Sequence, residues 1–335
     1  MRAVRKNMRA VVCDRLGDPS VLKIEDRPIP EIGSSDVLVK VGAASVNFPD
    51  VLMLTASYQH KPELPFVPGM EGAGTISAVG DDVKDWRVGD RVIFGVRPGA
   101  FAEYACVPAS GNLMRLPADW SFAEGSGFRV AATTAYHSLV HRARLKPRET
   151  LLVHGASGGV GMAAVQLGRH LGAQVIATGS DDGRLATVRE QGADLIVNYR
   201  TSDFVSVVKG MTDGRGADVV YDPVGGEVLE KSMRAAAYGA RLLVVGFTSG
   251  GPSRIMSNHV LIKGLSILGV RAGETVRRQG SDLARDYAVE LPRLAELGVM
   301  RPHISHRFPM ERAADAFHVL IDRQVVGKAV IEIAP

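Results

Sequence analysis

Hydrophobic residues follow two different patterns in the two parts of the chain. From Met8 to about Gly111, short β-type runs are separated by turn residues and prolines, and no long helical period appears. The clearest of these runs are 37–41, 74–79 and 91–94. Such closely spaced strands predict a compact β-barrel-like domain, interrupted by one helix near residues 48–55.

From residue 150 onward, apolar strands alternate with segments that are long enough for crossover helices. The six predicted strands are 151–154, 174–178, 194–198, 218–221, 241–245 and 266–270. Repeated strand–helix–strand units require a parallel sheet that is covered on both faces, so this part is predicted to be a doubly wound α/β domain. A helix from about 275, another from Glu311 and a final strand over 328–333 follow, and we expect that strand to return to the first domain.

The predicted domains are therefore discontinuous in sequence. Residues 8–128 and 271–335 are assigned to the β-rich domain, and residues 129–270 to the doubly wound, dinucleotide-binding domain. The first seven residues, MRAVRKN, precede a second MRAV. We interpret residues 1–7 as an N-terminal extension outside the fold.

Composition narrows the class of protein. The 335 residues are 46% hydrophobic and 23% charged, and 40 Lys and Arg against 36 Asp and Glu give a net charge of +4 with no basic block. No apolar run approaches the roughly 18–20 residues of a membrane span, and the start lacks a signal-peptide core. We therefore expect a cytoplasmic protein that binds neither nucleic acid nor membranes. Two cysteines, Cys13 and Cys106, are too few for a disulfide scaffold or a four-cysteine zinc site.

A glycine-rich turn follows the first strand of the predicted parallel sheet. Residues 155–161 read GASGGVG, and an apolar-periodic helix is predicted over 162–171. Glycines permit a tight turn and let backbone N–H groups approach a pyrophosphate at the positive end of the helix. Because a strand precedes the turn and a helix and a second strand follow it, the pattern predicts a dinucleotide site.

The end of the second strand indicates which dinucleotide is bound. It reads ATGS at 177–180, and Arg184 follows one helical turn later. An acid at the strand end binds the ribose 2′-hydroxyl of NAD, whereas its absence together with a nearby cation suits the 2′-phosphate of NADP. Asp181 and Asp182 are interpreted as the start of the next helix. The pattern favours NADPH over NADH.

Several motifs occur in the order in which one known family carries them. They are ASVNFPD at 44–50, LPFVPG at 64–69, VGDRV at 88–92, GAFAEY at 99–104, TAY at 134–136, HGASGGVG at 154–161, NYR at 198–200 and GK at 327–328. Residues 8–335 thereby resemble the zinc-independent, ζ-crystallin-like quinone oxidoreductases of the medium-chain dehydrogenase/reductase superfamily. The resemblance implies a GroES-like β-barrel catalytic domain together with a six-stranded Rossmann domain. It also implies a homodimer formed by pairing of the edge strands at 266–270.

The resemblance further implies a set of contacts to NADPH. Asn47 and Thr134 would lie beside the nicotinamide ribose, Tyr199 near the adenine, and Ser180 and Arg184 at the 2′-phosphate. The other implied cofactor contacts are Ser157, Gly158, Gly159, Val160, Gly161, Gly179, Gly246, Phe247, Val270, Arg271 and Lys328. Considered without the family, Asn47 is equally a turn residue, Thr134 a helix N-cap and Tyr199 a strand aromatic.

Zinc-dependent relatives carry a Gly-His-Glu segment and an earlier cysteine as ligands. Here the equivalent segment is Gly69-Met70-Glu71, and no cysteine lies between Cys13 and Cys106. We therefore expect no zinc, and we interpret Glu71 as the partner of a structural hydrogen bond or ion pair. The histidines at 137, 141, 154 and 170 are interpreted as ordinary surface or strand residues.

A site without a Lewis acid suits acceptors that are already electron-poor. We hypothesise hydride transfer from NADPH to a quinone or to the β-carbon of an activated alkene such as an enone. The candidate catalytic residues are Asn47, Tyr58 and Arg271. Tyr58 either donates a hydrogen bond to the substrate oxygen or packs on the proline-rich loop 62–68. A second tyrosine of the family is replaced by Leu52.

Two alternatives remain open. Arginine binds carboxylate or phosphate bidentately, so Arg129 and Arg271 keep open an acidic substrate such as an enoyl-CoA, or reduction of a 2-alkenal. Otherwise Arg271 pairs with Glu274 and Arg129 is solvated. The other alternative is a non-enzymatic NADPH-binding structural or RNA-binding protein, since fold alone does not settle function.

Overall fold

The computed structural model describes residues 6–111 and 113–333, which divide into two compact units. The first unit contains the residues up to Val130, then Ala288–Glu296 and the residues from Arg301 onward. The second contains Ala131–Tyr287 and Leu297–Met300. Of the proposed extension at 1–7, residues 1–5 lie outside the described residues, and Asn7 belongs to the first strand.

Fifteen β-strands and eleven α-helices lie within the described residues. The strands are β1 (Asn7–Val12), β2 (Lys23–Pro28), β3 (Asp36–Ser45), β4 (Glu71–Val79), β5 (Arg91–Gly95), β6 (Tyr104–Pro108), β7 (Leu113–Arg115), β8 (Thr150–Val153), β9 (Gln174–Gly179), β10 (Leu195–Asn198), β11 (Ala217–Asp222), β12 (Ala236–Val244), β13 (Ser266–Gly269), β14 (Ile304–Pro309) and β15 (Lys328–Glu332). The helices are α1 (Phe48–Leu54), α2 (Phe122–Ser126), α3 (Arg129–Tyr136), α4 (Gly159–His170), α5 (Asp182–Glu190), α6 (Phe204–Met211), α7 (Glu227–Ala235), α8 (Ser257–Lys263), α9 (Ala272–Gln279), α10 (Ser281–Glu296) and α11 (Ala313–Ile321). A π-helix covers His137–Arg142, and 3₁₀ turns cover Pro19–Val21 and Met310–Arg312.

The first unit is built on a seven-stranded sheet in the order β14-β15-β3-β4-β5-β7, with β6 paired to β3. Strand β3 alternates as the sequence predicts, since Val37, Val39 and Val41 are fully buried while Lys40 is exposed. The last strand, β15, pairs antiparallel with β3 and parallel with β14. The predictions of a GroES-like β domain and of a C-terminal strand that returns to it are confirmed.

The core of the first unit holds α11 against this sheet. Phe317 of α11 is fully buried and meets Phe101 edge to face, with ring centroids 5.8 Å apart. Burial of a phenylalanine stabilises a fold by roughly 1.5–3 kcal/mol. The C-terminal segment is therefore an integral part of the first unit.

The second unit is a six-stranded parallel sheet in the order β10-β9-β8-β11-β12-β13. This is the predicted doubly wound arrangement. The order reverses beside β8, and in such sheets ligands bind outside the carboxyl ends of the strands at the point of reversal. The glycine-rich turn at 155–161 begins at that end of β8.

Some element boundaries differ from the sequence predictions. Strand β12 begins at Ala236 rather than 241, and it accommodates Gly239 at φ +74° together with a register shift against β11. Helix α4 begins at Gly159 rather than 162 because the last glycines of the turn already form its first turn. The helix expected from Glu311 is a 3₁₀ turn that leads into α11.

None of the described helices is both long enough and apolar enough to cross a bilayer.

Candidate cofactor and active site

The turn after β8 presents backbone N–H groups at the start of α4. Gly155 adopts φ +54°, its carbonyl accepts the N–H of Gly158 at 3.0 Å, and α4 begins at the next residue. The first N–H groups of an α-helix have no acceptor within the helix, so this end suits an anion. A Cβ on Gly161 would lie 2.3 Å from the Gly155 carbonyl oxygen. The glycine-rich turn therefore requires glycine at position 161.

The end of β9 carries the groups that were predicted for the 2′-phosphate. Ser180 and Arg184 are half-buried. Asp181 caps α5, since its carboxylate accepts the N–H of Arg184 at 2.9 Å. The Asp182 carboxylate accepts the amide of Asn198 at 3.0 Å. Each acid has a local structural partner, as the sequence indicated, and the strand end provides a hydroxyl and a guanidinium for a phosphate.

The other predicted contacts of the second unit follow the strands of its sheet. Gly246 and Phe247 lie two and three residues after the end of β12. Val270 comes directly after β13, and its N–H donates to the Val244 carbonyl at 2.9 Å. Tyr199 follows β10 and is 42% exposed. The carboxyl ends of parallel strands share one edge of a sheet. The structure therefore brings these residues to the same edge as the glycine-rich turn.

Thr134 lies within a helix of the second unit, and Arg271 lies immediately before another. Thr134 is half-buried within α3, and its carbonyl accepts the Ser138 hydroxyl at 2.6 Å. Arg271 is the residue before α9 and is about half exposed, with its guanidinium 3.8 Å from Glu274. Arg277 and Arg278 share the same Glu274 carboxylate. The expected Arg271–Glu274 pair is present, yet one carboxylate serves three guanidinium groups.

The first unit contains a buried polar cluster around Glu71, the first residue of β4. One carboxylate oxygen, Oε1, accepts the Ser45 hydroxyl at 2.6 Å, the Asn47 amide at 3.0 Å and the Lys328 ammonium at 2.9 Å. The other, Oε2, accepts the N–H of Val130 at 2.7 Å. Glu71 is fully buried, and Lys328 is only 5% exposed. The interpretation of Glu71 as an ion-pair and hydrogen-bond residue is confirmed.

Asp50 is a second buried carboxylate in the same region. It accepts the N–H of Asn47 at 2.9 Å and that of Gly69 at 3.2 Å. Burial raises the pKa of Asp50 to about 7, although these N–H groups and the Lys328 ammonium lower it. Asp50 is not among the residues predicted from the sequence. Its position three residues after Asn47, at the start of α1, is the spacing of a helix-capping acid and was the available signal.

Tyr58 and Arg129 are two other residues of the first unit for which the sequence predicted a possible contact with the substrate. Tyr58 is half-buried and packs against the hydrophobic core of the unit. Arg129 donates to the Gly111 carbonyl at 2.8 Å, and its side chain lies against Gly95. Burial lowers the pKa of Arg129. Arg129 is therefore partly buried and bonded to the backbone, whereas the alternative interpretation expected it to be solvated.

Two of the four histidines that were interpreted as surface or strand residues are buried, His154 at the end of a strand and His137 in the π-helix. His154 follows β8, and its ring nitrogens lie 2.8 Å from the Thr178 hydroxyl and 2.7 Å from the Ser232 hydroxyl. His137 lies 2.6 Å from the Tyr287 hydroxyl. Burial lowers the pKa of His154 to about 3 and that of His137 to about 4. Apolar neighbours in the sequence do not reveal such buried partners.

The segment equivalent to the zinc-ligand motif has a different chemistry in this chain. Met70 offers only a thioether, and Glu71 already accepts four hydrogen bonds. Among residues 6–111 and 113–333, no group of three or more His, Cys, Asp or Glu is arranged to hold a metal ion.

Two family models match the chain. The model described as "Alcohol dehydrogenase GroES-like domain" matches residues 33–118. The model described as "Zinc-binding dehydrogenase" matches residues 159–286. The two matches fall on the β-rich segment and on the doubly wound sheet, in the predicted order.

Relatives align with almost the whole chain. This chain is 35% identical over 329 residues to a quinone oxidoreductase-like protein 2 homolog of Nematostella vectensis, and the alignment covers 98% of this chain and 89% of that protein. It is 33% identical to the human quinone oxidoreductase, with 96% of each chain covered. The structure of the Escherichia coli quinone oxidoreductase in complex with NADPH superposes with a TM-score of 0.87 at 26% identity, covering 98% of this chain and 99% of that one. The chain belongs to the quinone oxidoreductase family of the medium-chain dehydrogenase/reductase superfamily.

Proposed function

We propose that the protein is an NADPH-dependent oxidoreductase that reduces a quinone or an activated alkene. The proposal rests on the glycine-rich turn at 155–161, which presents backbone N–H groups at the start of α4. A Cβ on its Gly161 would clash with the Gly155 carbonyl oxygen, so the turn requires glycine there. Membership of the quinone oxidoreductase family supports the acceptor class. The intact turn also favours an enzyme over a non-enzymatic role.

The choice of NADPH rests on the end of β9. Ser180 and the half-buried Arg184 provide a donor and a cation for a 2′-phosphate. Asp181 and Asp182, which would suit a 2′-hydroxyl, are occupied by the N–H of Arg184 and the amide of Asn198. When bound, NADPH supplies a hydride from C4 of its nicotinamide.

The protein's own part is to hold and polarise the reactants. We assign Gly158 to Gly161 to the pyrophosphate, Asn47 and Thr134 to the nicotinamide ribose, and Tyr199 to the adenine. Tyr58 is proposed to donate a hydrogen bond to the oxygen that becomes negative as the acceptor is reduced. The Tyr58 ring packs against the hydrophobic core, and its hydroxyl is the group that can form a hydrogen bond, as in most half-buried tyrosines.

We propose that catalysis needs no zinc. The support lies in the donor set, since Met70 replaces a ligating histidine and the Glu71 carboxylate is saturated by N–H and O–H donors. Binding a metal through Glu71 would require these hydrogen bonds to break.

A second substrate class is favoured by Arg271. Its guanidinium is about half exposed and shares Glu274 with two other arginines, so positive charge remains available for an acidic acceptor such as an enoyl-CoA. If Arg271→Ala leaves the rates with all acceptors unchanged, this candidate is removed.

We also propose a homodimer formed through the edge of the parallel sheet. Strand β13 is the edge strand, and the neighbouring Leu261, Ile262 and Tyr238 are 82%, 70% and 83% exposed. An unpaired edge strand together with exposed apolar side chains on the neighbouring helix α8 and strand β12 favours association with a second copy.

The test of the proposed function is an acceptor panel of 1,4-quinones, 2-enones and enoyl-CoA, each with NADPH and with NADH, with metal content measured on the same sample. Reduction of quinones or enones with NADPH is expected, with little metal. Arg184→Ala should weaken NADPH binding by about tenfold to a hundredfold and leave NADH binding unchanged, as loss of a charged hydrogen bond predicts. NADPH binding without reduction of any acceptor would refute the proposed activity, and stoichiometric zinc would refute the metal-free mechanism.

A further inference from the structure

Asn47 has a carboxamide whose two ends are distinguished by their neighbours. Its Oδ1 accepts the Lys328 ammonium at 2.7 Å, and its Nδ2 donates to Glu71 Oε1 at 3.0 Å. If the amide were rotated by 180°, its NH₂ would face the ammonium and its oxygen would face the carboxylate. Both contacts would become repulsive, so the Glu71–Lys328 pair permits one orientation only.

The fixed amide keeps unused hydrogen-bonding capacity. The second N–H of Nδ2 has only long contacts, at 3.4 Å, to the carbonyl and hydroxyl of Ser45. Asn47 is 7% exposed and Lys328 5%, whereas Glu71 is fully buried. Glu71 therefore acts on a ligand only through a neighbour such as Asn47.

Stability alone does not explain the Glu71–Lys328 pair. Taking two charges out of water costs free energy that their attraction often fails to exceed, and apolar replacements are frequently as stable. This pair, however, also sets the direction of a neighbouring amide. From this geometry we infer that Glu71 and Lys328 are positioning residues, which act through the Asn47 carboxamide to hold the nicotinamide end of NADPH.

The inference rests on the proposed function for the identity of the cofactor. It assigns Lys328 a role through Asn47, and it gives Glu71 a role in cofactor binding in addition to its structural bonds. It predicts that loss of the pair weakens recognition of the nicotinamide half of NADPH and spares recognition of the adenosine half.

Glu71→Gln is the most direct variant. Each carboxylate oxygen accepts at least one donor, so an amide NH₂ at either position meets a donor and the cluster must rearrange. Lys328→Met and Lys328→Gln form a second, matched set, because glutamine can still donate to Asn47 Oδ1 and methionine cannot. Glu149→Gln is the control, since it breaks the partly buried Glu149–Arg241 ion pair of the second unit.

The experiment measures dissociation constants of NADPH and of 2′-phospho-ADP-ribose, which lacks nicotinamide, together with melting temperatures. Glu71→Gln and Lys328→Met should bind NADPH about tenfold more weakly and bind the fragment within about twofold of wild type, as loss of a charged hydrogen bond predicts. Lys328→Gln should retain most of the NADPH affinity, and Glu149→Gln should change neither ligand. Glu71→Gln in an Asn47→Ala background should have no further effect on NADPH binding, because coupled residues are non-additive.

The outcomes separate the two proposals. Equal weakening of both ligands, unchanged NADPH affinity in Glu71→Gln, or full additivity with Asn47→Ala would overturn the positioning role. A wild-type protein that binds NADPH and shows this pattern but reduces no acceptor would refute the proposed activity alone. A wild-type protein that does not bind NADPH would refute both.

Discussion

His154 makes a quantitative prediction about stability in acid. The Ser232 hydroxyl donates to the Val228 carbonyl at 2.7 Å, so its oxygen must accept from His154 Nε2. Nδ1 therefore accepts from the Thr178 hydroxyl, and the imidazole is neutral. Burial lowers the pKa of His154 from 6.5 to about 3, because a protonated ring would be charged inside the core of the second unit.

The linkage between proton binding and folding gives the sign and size of the change in the free energy of unfolding with pH. Because the folded-state pKa is depressed, this contribution is fully present above the unfolded-state pKa and is lost as the pH falls below it. Between pH 7.5 and 5.0 the unfolded chain takes up the proton and the folded chain does not, which lowers the free energy of unfolding by about 2 kcal/mol. The result depends little on how far below 5 the folded-state pKa lies.

The assay is urea unfolding followed by far-UV circular dichroism at both pH values. Other buried groups titrate as well, since Asp50 with its raised pKa contributes in the opposite direction and His137 in the same one. The difference between wild type and His154→Gln isolates His154, because the other groups are common to both proteins. Wild type should lose about 2 kcal/mol more than the variant on going to pH 5.0.

The matched control is His170→Gln, which removes an exposed histidine from the same unit. Parallel pH dependence in wild type and His154→Gln, or an equal effect in His170→Gln, would refute the reasoning.

Three further predictions concern separate features. Gly161→Ala places a Cβ 2.3 Å from the Gly155 carbonyl oxygen, so we expect it to lower the free energy of unfolding by about 2 kcal/mol. In the control Gly158→Ala the nearest atom to the new Cβ is 3.5 Å away, so this variant should melt close to wild type. Equal melting temperatures of the two variants would contradict the prediction. Leu261→Glu with Ile262→Glu should convert a dimer to monomers in sedimentation velocity, and a wild-type monomer would contradict the proposed interface. Phe317→Ala should cost about 3–5 kcal/mol in the first unit, measured by urea unfolding followed by tryptophan fluorescence, and a loss below about 1 kcal/mol would contradict the packing described for α11.

The six parallel strands could be predicted because each is a short apolar run between turns. Strand β12 was predicted too short because Ala-Ala-Tyr-Gly at its start has no β pattern, and only pairing with β11 extends it. The glycine-rich turn at 155–161 could be predicted because its residues are contiguous in sequence. The Glu71 cluster could not be predicted, because Lys328 lies 281 residues from Asn47 and 257 from Glu71 in sequence.

The position of β15 between β14 and β3 has a consequence for synthesis of the chain. The six-stranded sheet is encoded between Thr150 and Gly269, so it can form while later residues are still being translated. The other sheet, whose strand β3 is translated early, cannot be completed until residues 304–332 have been translated. Contacts this distant in sequence form slowly, because a long loop must close first. During translation the six-stranded sheet should therefore form first, and the early strands of the other sheet need protection from aggregation until residues 304–332 have emerged from the ribosome.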